Sequence, residues 1–368
     1  MRTAERVEVR SKEEILATLD KNGRLEGLPF MPEMFKYCGQ RFEIYKSAYK
    51  SCDTVSGRYI GLRIDRCVHL ELRCDGGAHG GCQAGCLMFW KEAWLKPVDQ
   101  AVQKPAPSVA AWLIACAERD VIAAASNQHG NETVYSCQAT SLLNFTRPLK
   151  WWDARQYAKA YSSGNRSAAE ILRGLSYLLY SYGTLSNHSK LGAPWRWLYD
   201  RARPLWHGVA FPRRRGRIPL GRPTPKVDLD LKPGDLVRVK SYEEILATLD
   251  ENRSNRGLTF DAELVPYCGK IYRVQTRVHR FIDEQTGRMK KLKTPAVILD
   301  GVVCKSRFSG QRMFCPREIY LWWREIWLER VEEALRDMPP QAECRERVTP
   351  MGWHDVRFHP RAPKLVAA

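Results

Sequence analysis

KEEILATLDKNGRLEGLPF at residues 12–30 returns as YEEILATLDENRSNRGLTF at residues 242–260. Twelve of the nineteen positions are identical at a constant offset of 230, more than chance supplies, so the chain carries one module twice. The match continues through Tyr37-Cys38-Gly39 against Tyr267-Cys268-Gly269. It resumes, offset by 233, in FWKEAWLKPV (89–98) against WWREIWLERV (322–331). Trp90 and Trp94 thereby match Trp323 and Trp327, and rings kept at equivalent positions read as core closure.

Each copy opens on an alternating strand, VEVRS (7–11) or DLVRVKS (235–241), the second behind the turn Pro233-Gly234. Ser11 and Ser241 stand three residues before Glu14 and Glu244, the capping-box spacing that predicts a helix start. β-rich sequence follows, RFEIYKSAYK (41–50) in the first copy. In the second, IYRVQTRVHRFI and KTPAVILDGVV flank DEQTGRM and predict a hairpin. The PGDLVRV entry, the long hairpin and the closing aromatic segment resemble SH3-like barrels such as that of the nitrile hydratase beta subunit. The resemblance covers the two modules alone and implies small binding or scaffolding barrels.

Between the copies, residues 108–126, 153–162 and 167–182 have helical apolar spacing. The last starts at a Ser167 cap, ends near Gly183 and is apolar around enough of its surface to be largely buried. PRRRGRIPLGRPTPK (212–226) reads as a linker, and the Pro- and Arg-rich tail after Met338 as frayed. The expected fold is therefore α+β: two duplicated SH3-like barrel modules, each with a helical insertion, flanking a mainly α central region. The expected division is a cysteine-rich module at 1–104, the centre and basic linker at 105–232, the second module at 233–336 and a flexible tail at 337–368.

No stretch of the 368 residues reaches the ~18 apolar residues of a membrane span. The first residues hold no apolar secretion-signal core, so a cytoplasmic protein without a membrane partner is expected. Fifty-nine basic against 41 acidic residues leave +18, a field suited to an anionic small molecule, an acidic protein or nucleic acid. The densest run, Arg213-Arg214-Arg215-Gly216-Arg217, lacks the interleaved aromatics of a stacking platform and reads as solvated linker.

Twelve cysteines without an export signal read as metal ligands or redox groups rather than disulfides. Cys116 and Cys344 suit the plainer role of small buried hydrophobes. Residues 67–86, CVHLELRCDGGAHGGCQAGC, set out Cys67, His69, Cys74, His79, Cys82 and Cys86, with Cys52 upstream. Gly76, Gly77, Gly80, Gly81 and Gly85 let the backbone wrap tightly and leave N–H groups free to face sulfur. With so little apolar content, a metal would supply the missing folding energy, on the order of 10 kcal/mol.

Zinc favours paired C-x₂₋₄-C spacings, of which only Cys82/Cys86 qualifies, whereas iron–sulfur clusters tolerate irregular spacing, with Cys74 and Cys52 as further thiolates. Both cofactors stay open. In the second copy Cys268, Cys304 and Cys315 fall on Cys38, Cys74 and Cys82. A fourth ligand there would be His279 or Cys137, the latter in YSCQAT (135–140), or the second copy binds no metal. Cys38 and Cys268 read as packing thiols or ligands, and His69 as a ligand or an ordinary strand residue. Phosphate-loop, dinucleotide, zincin and nucleophile-elbow motifs are absent from the sequence. A nucleophilic Cys137 activated by His129 or His188 has no spacing to demand it.

The leading expectation is a cysteine-ligated metalloprotein, an auxiliary redox or biosynthetic enzyme acting on an anionic substrate. The alternative is a zinc-stabilised scaffold for nucleic acid or protein.

Overall fold

Both capping boxes form. Ser11 Oγ accepts the Glu14 N–H at 3.2 Å while Glu14 Oε2 accepts the Ser11 N–H at 2.9 Å, opening the helix Lys12–Leu16. Ser241 and Glu244 repeat this at 3.3 and 2.8 Å ahead of Tyr242–Thr248. The helices press Ile15 and Ile245 onto Trp90, Trp94, Trp323 and Trp327, all fully buried. Repeat-equivalent bonds fix the inner rings: Trp94 Nε1 donates to Thr18 Oγ1 at 3.1 Å and Trp327 Nε1 to Thr248 Oγ1 at 3.0 Å.

The computed structural model describes residues 1–58, 60–98, 116–185, 192–202 and 214–331. In the second module the expected hairpin forms between Ile271–Ile282 and Met289–Val303. It sits in a five-stranded antiparallel sheet, in the order Tyr320–Trp323, Met289–Val303, Ile271–Ile282, Leu236–Val239, Leu328–Arg330. The first module divides its strands among several small sheets. Arg6–Val9 lies between Leu95–Pro97 and Arg41–Glu43, and Cys67–His69 lies between Lys46–Ser47 and Trp90–Lys91.

Two expectations are corrected. Among the described residues no sheet closes into a barrel, so the SH3-like barrel modules do not form as such. In the first module the strands are only two to four residues long, too short for a ladder to run round. In the second, the edge strands Tyr320–Trp323 and Leu328–Arg330 are separated by the 3-10 turn Glu325–Trp327 and are not paired with each other.

Nor is the centre mainly α. It holds the helices Glu118–Ala124, Arg155–Ser162, Ala168–Leu185 and Gly192–Ala202, but also the hairpin Ser126–His129/Glu132–Tyr135. Its strand Arg147–Leu149 joins a first-module sheet beside Gly61–Arg63, which pairs in turn with Lys50–Cys52. The chain is mostly β, in small antiparallel sheets with short helices between them.

Ser167 caps Ala168–Leu185 through Glu170, but the helix is not buried all round. Tyr177 and Leu178 pack on Met313 and Phe314, while Leu172 is 68% exposed. The described part of the basic linker runs along the second module as a strap. Arg217 N and Ile218 N donate to Leu246 O and Leu249 O at 3.1 and 3.0 Å, and Leu231 is buried in that module's core. The expected tail and Cys344 lie outside the described residues, as do residues 108–115 of the first expected central helix. No helix among the described residues is long and apolar enough to cross a membrane.

The two modules face each other through equivalent positions. Thr54 Oγ1 donates to the carboxylate of Glu284, its own counterpart at the 230 offset. Cys82 Sγ accepts the Ile282 N–H at 3.4 Å, and the counterparts of that pair, Cys315 and Cys52, are likewise neighbours, flanked by the contacts of Lys50 with Met313 O and of Arg317 with Thr54 Oγ1. Such reciprocity is the signature of a two-fold relation, here within one chain.

Glu318, almost wholly buried, locks the junction. Its carboxylate takes hydrogen bonds from Tyr45 Oη at 2.5 Å, from Lys305 Nζ at 2.8 Å and from Lys46. Burial alone would raise its pKa, but the two lysines outweigh it and hold the carboxyl at about 2. A carboxyl so depressed contributes stability above the usual value of 4.5, and that contribution is lost as pH falls toward 2. Glu318→Gln is expected to cost about 3 kcal/mol in urea unfolding at pH 7. The wild-type advantage should fade as the same titration is repeated from pH 4.5 downward.

Candidate metal centre

The cysteine-rich loop is shaped by glycine and held by the opposite module. Cys74 N donates to Cys86 O at 2.9 Å, which closes the loop base. Gly76 turns at φ 72° so that its carbonyl accepts the N–H groups of His79 and Gly81 at 3.0 and 2.9 Å. A Cβ on Gly76 would stand 2.2 Å from Cys82 O, so only glycine fits. The far side of the loop lies along the strand Ile271–Ile282. Gln83 Oε1 accepts the His279 and Arg280 N–H groups at 2.7 and 3.1 Å, and Gln83 N donates to Arg280 O at 3.2 Å.

Inside the loop, Cys74, Cys82, Cys86 and Cys137 line one cavity with His79 and Arg317, enclosing about 450 Å³ with its open mouth included. Cys137 comes from the central region. The next residue, buried Gln138, anchors it: Oε1 accepts the Phe89 N–H at 2.8 Å, and Nε2 donates to Phe89 O at 2.9 Å and Pro29 O at 3.1 Å. Backbone N–H groups face sulfur at two positions, that of Gly76 at Cys74 and those of Ala139 and Thr140 at Cys137. Burial pushes the Cys86 thiol up to about 12 and raises Cys74 and Cys137 as well, so without a cation these thiols keep their protons.

At one wall Glu33, from the 3-10 turn Pro32–Tyr37, accepts His79 Nδ1 at 2.6 Å and the Ala78 N–H at 3.1 Å on Oε1. Its Oε2 is buried with no hydrogen-bond partner. Burial raises the Glu33 pKa, but the hydrogen bond and charge of His79, together with backbone N–H groups including that of Ala78, outweigh it and the net shift is downward. Ligand atoms of Glu33, Cys74 and His79 lie within 4.8 Å of one another, the one such trio among the described residues. The four thiols are spread more widely round the cavity.

The other expected ligands stand elsewhere. Cys67 is buried in the first module's core and donates to Asp65 O at 3.5 Å. His69, fully buried, bonds Met88 O through Nδ1 at 2.9 Å and packs 4.7 Å from the Phe89 ring, and burial pulls its pKa down to about 3. Cys38 and Cys268 pack at equivalent places on the two cores. His279 is exposed on its strand, and Cys137 belongs to the first module's cavity.

Cys304 and Cys315 form a second thiol group with Cys52 rather than with Cys268. Cys52 lies beside Cys315, since Lys50 donates to Met313 O and Arg317 to Thr54 Oγ1 on either side of the pair, and Cys304 is close enough to act on both. Arg317, 2% exposed, spans the two groups. It donates to Thr54 Oγ1 and Glu284 Oε1, both at 2.9 Å, and its charge acts on Cys86, Cys52 and Cys315.

Sequence reasoning missed Glu33, Gln138, Lys50 and Arg317. For Glu33 a signal existed. Between Phe30/Phe260 and Tyr37/Tyr267 the repeats keep a single residue, Glu33/Glu263, and Glu263 is likewise buried and acts on Cys304, the counterpart of Cys74. Comparison with known family models, curated proteins and solved structures finds no match.

Gly76→Ala forces a left-handed side chain against the Cys82 carbonyl, a strain of about 1–3 kcal/mol. Its expected result is faster reaction of Cys82 and Cys86 with a thiol reagent, located by peptide mapping. Reaction at Cys268, remote in the second core, should be unchanged.

Proposed function

We propose that this chain is an iron–sulfur protein whose centre is held by Cys74, Cys82, Cys86 and Cys137. The observation that carries the reading is the meeting of four thiols around one cavity, three from the glycine-rich loop and one from the central region. A tetrahedral zinc ion with ~2.3 Å bonds draws its sulfurs to within about 3.8 Å of each other. No three of these thiols lie even within 4.8 Å, a spread that suits an inorganic core of several atoms better than one ion. The N–H groups directed at Cys74 and Cys137 and the guanidinium of Arg317 would offset the negative charge of a thiolate-bound cluster.

Four cysteines leave no iron open, so the chemistry such a centre supplies is one-electron transfer rather than substrate activation. That suits an auxiliary redox protein, and the +18 charge favours an anionic substrate or an acidic redox partner. The second reading is a zinc ion on Glu33, Cys74 and His79 with its fourth position open. It is favoured by the convergence of that trio and the unpartnered Glu33 Oε2.

Protein purified without oxygen is expected to be brown, to contain iron and acid-labile sulfide in equal amounts, and to bleach with dithionite. Cys86→Ser and Cys137→Ser should lose the iron while Cys38→Ser retains it. Colourless protein with one zinc that Cys74→Ser abolishes supports the second reading. Absence of both metals, or full iron in both the Cys86 and Cys137 variants, rejects the proposal.

A further inference from the structure

The junction holds a second sulfur group that the proposed centre does not use. Cys52 lies on the strand Lys50–Cys52 of the first module, and Cys315 follows the 3-10 turn Gly310–Arg312 of the second. The two-fold relation brings them together. Where Ile282 offers only its backbone N–H to Cys82, its counterpart Cys52 brings a thiol beside Cys315: Lys50 two residues before it donates to Met313 O, and Arg317 donates to Thr54 Oγ1 two residues after it. Both are buried, at 6% and 1% exposure, so bulk thiols and oxidants reach them poorly.

Two cations flank the pair. Lys50, 1% exposed, has Gln156 Oε1 at 3.0 Å and Met313 O as hydrogen-bond partners, both neutral. A buried ammonium with neutral partners is costly, and an adjacent sulfur anion supplies its counter-charge. Arg317 reaches from Cys52 and Cys315 to the wall of the cavity that Cys86 shares. One side chain thus bridges the two sulfur groups.

We propose that Cys52 and Cys315 are a dithiol/disulfide couple that exchanges electrons with the iron–sulfur centre, converting single electrons into pairs. This rests on the proposed centre. In the reducing direction two electrons, delivered one after the other by the reduced centre, break the Cys52–Cys315 S–S bond. Each sulfur takes one proton, the first relayed by Lys50, so that disulfide, two electrons and two protons become two thiols. The centre is oxidised once for each electron passed and is recharged by an external one-electron donor, dithionite in the test below. In the opposite direction the dithiol returns both electrons and both protons, and the S–S bond forms.

The test is an anaerobic reductive titration of the full chain, first oxidised by ferricyanide, with dithionite as the donor. Wild type is expected to take up three electrons, one on the centre and two on the disulfide. Cys315→Ser and Cys52→Ser should each take up one while keeping the iron and its visible spectrum. Peptide mapping after alkylation should find Cys52 joined to Cys315 in the oxidised sample and both alkylated in the reduced one. Lys50→Met should slow the two-electron phase at least tenfold and leave the one-electron phase unchanged.

Uptake of one electron by wild type, or a map in which Cys52 and Cys315 stay alkylated after oxidation, overturns the proposal even where the iron is present. Iron-free protein that still forms the disulfide refutes the centre, and with it the electron exchange, but leaves the couple. Should both serine variants fail to fold, the wild-type titration and map decide alone.

Discussion

A short run of hydrogen bonds, from Gln83 of the loop bearing Cys82 and Cys86 to the main chain of the strand Ile271–Ile282, holds the rest of the site in place. Residues 73–86 carry little that could pack on itself, and their turns need glycine. The loop therefore takes its shape from the opposite strand, to which Gln83 is bonded, and from Cys74 N closing back on Cys86 O. An edge of β-strand normally exposes donors and acceptors that must be covered. Here that edge is covered by the polypeptide that carries the thiols, which solves two problems at once: the strand is capped and the sulfurs are oriented.

The centre is composite in the same way. Cys137 arrives from between the repeats, and the amide of Gln138 behind it stitches that segment to Phe89 and Pro29 of the first module. Arg317 arrives from the second module with a buried charge, already matched by Glu284 and still acting on three sulfurs. Buried charges of this kind rarely add net stability, but they penalise misdocked arrangements heavily because a lost partner leaves an ion in a dry interior. Glu318, with Tyr45 and two lysines, adds a second constraint of that type at the same junction.

Much of this was legible from residue order. The duplication, both capping boxes, the long hairpin and the buried tryptophans follow from spacing and propensity, which act within a few residues. The glycine-laced loop stood out for the same reason, and four of the six ligands read from it, Cys74, His79, Cys82 and Cys86, line one cavity. What was not legible depends on which strands meet. Cys67 and His69 sit on a strand, and only the sheet decides that they face the core. Cys52 was grouped with the loop by proximity in sequence, whereas the two-fold relation turns it toward Cys315. The barrel expectation failed on strand length in the first module, where runs of two or three residues read as β-rich without telling whether their ladders join, and on unpaired edge strands in the second.

The contact between Thr54 and Glu284 has a historical reading. An ancestor with a single copy would present the same face to its twin, and a residue on the axis would then meet itself. Fusing the halves fixes their ratio at one to one and releases each from mirroring the other. Position 54 could become a hydroxyl where 284 became a carboxylate, and one half could gain the glycine loop while its sister gave it up. Asymmetry at that axis is what a tandem chain permits and a symmetric pair of identical subunits forbids.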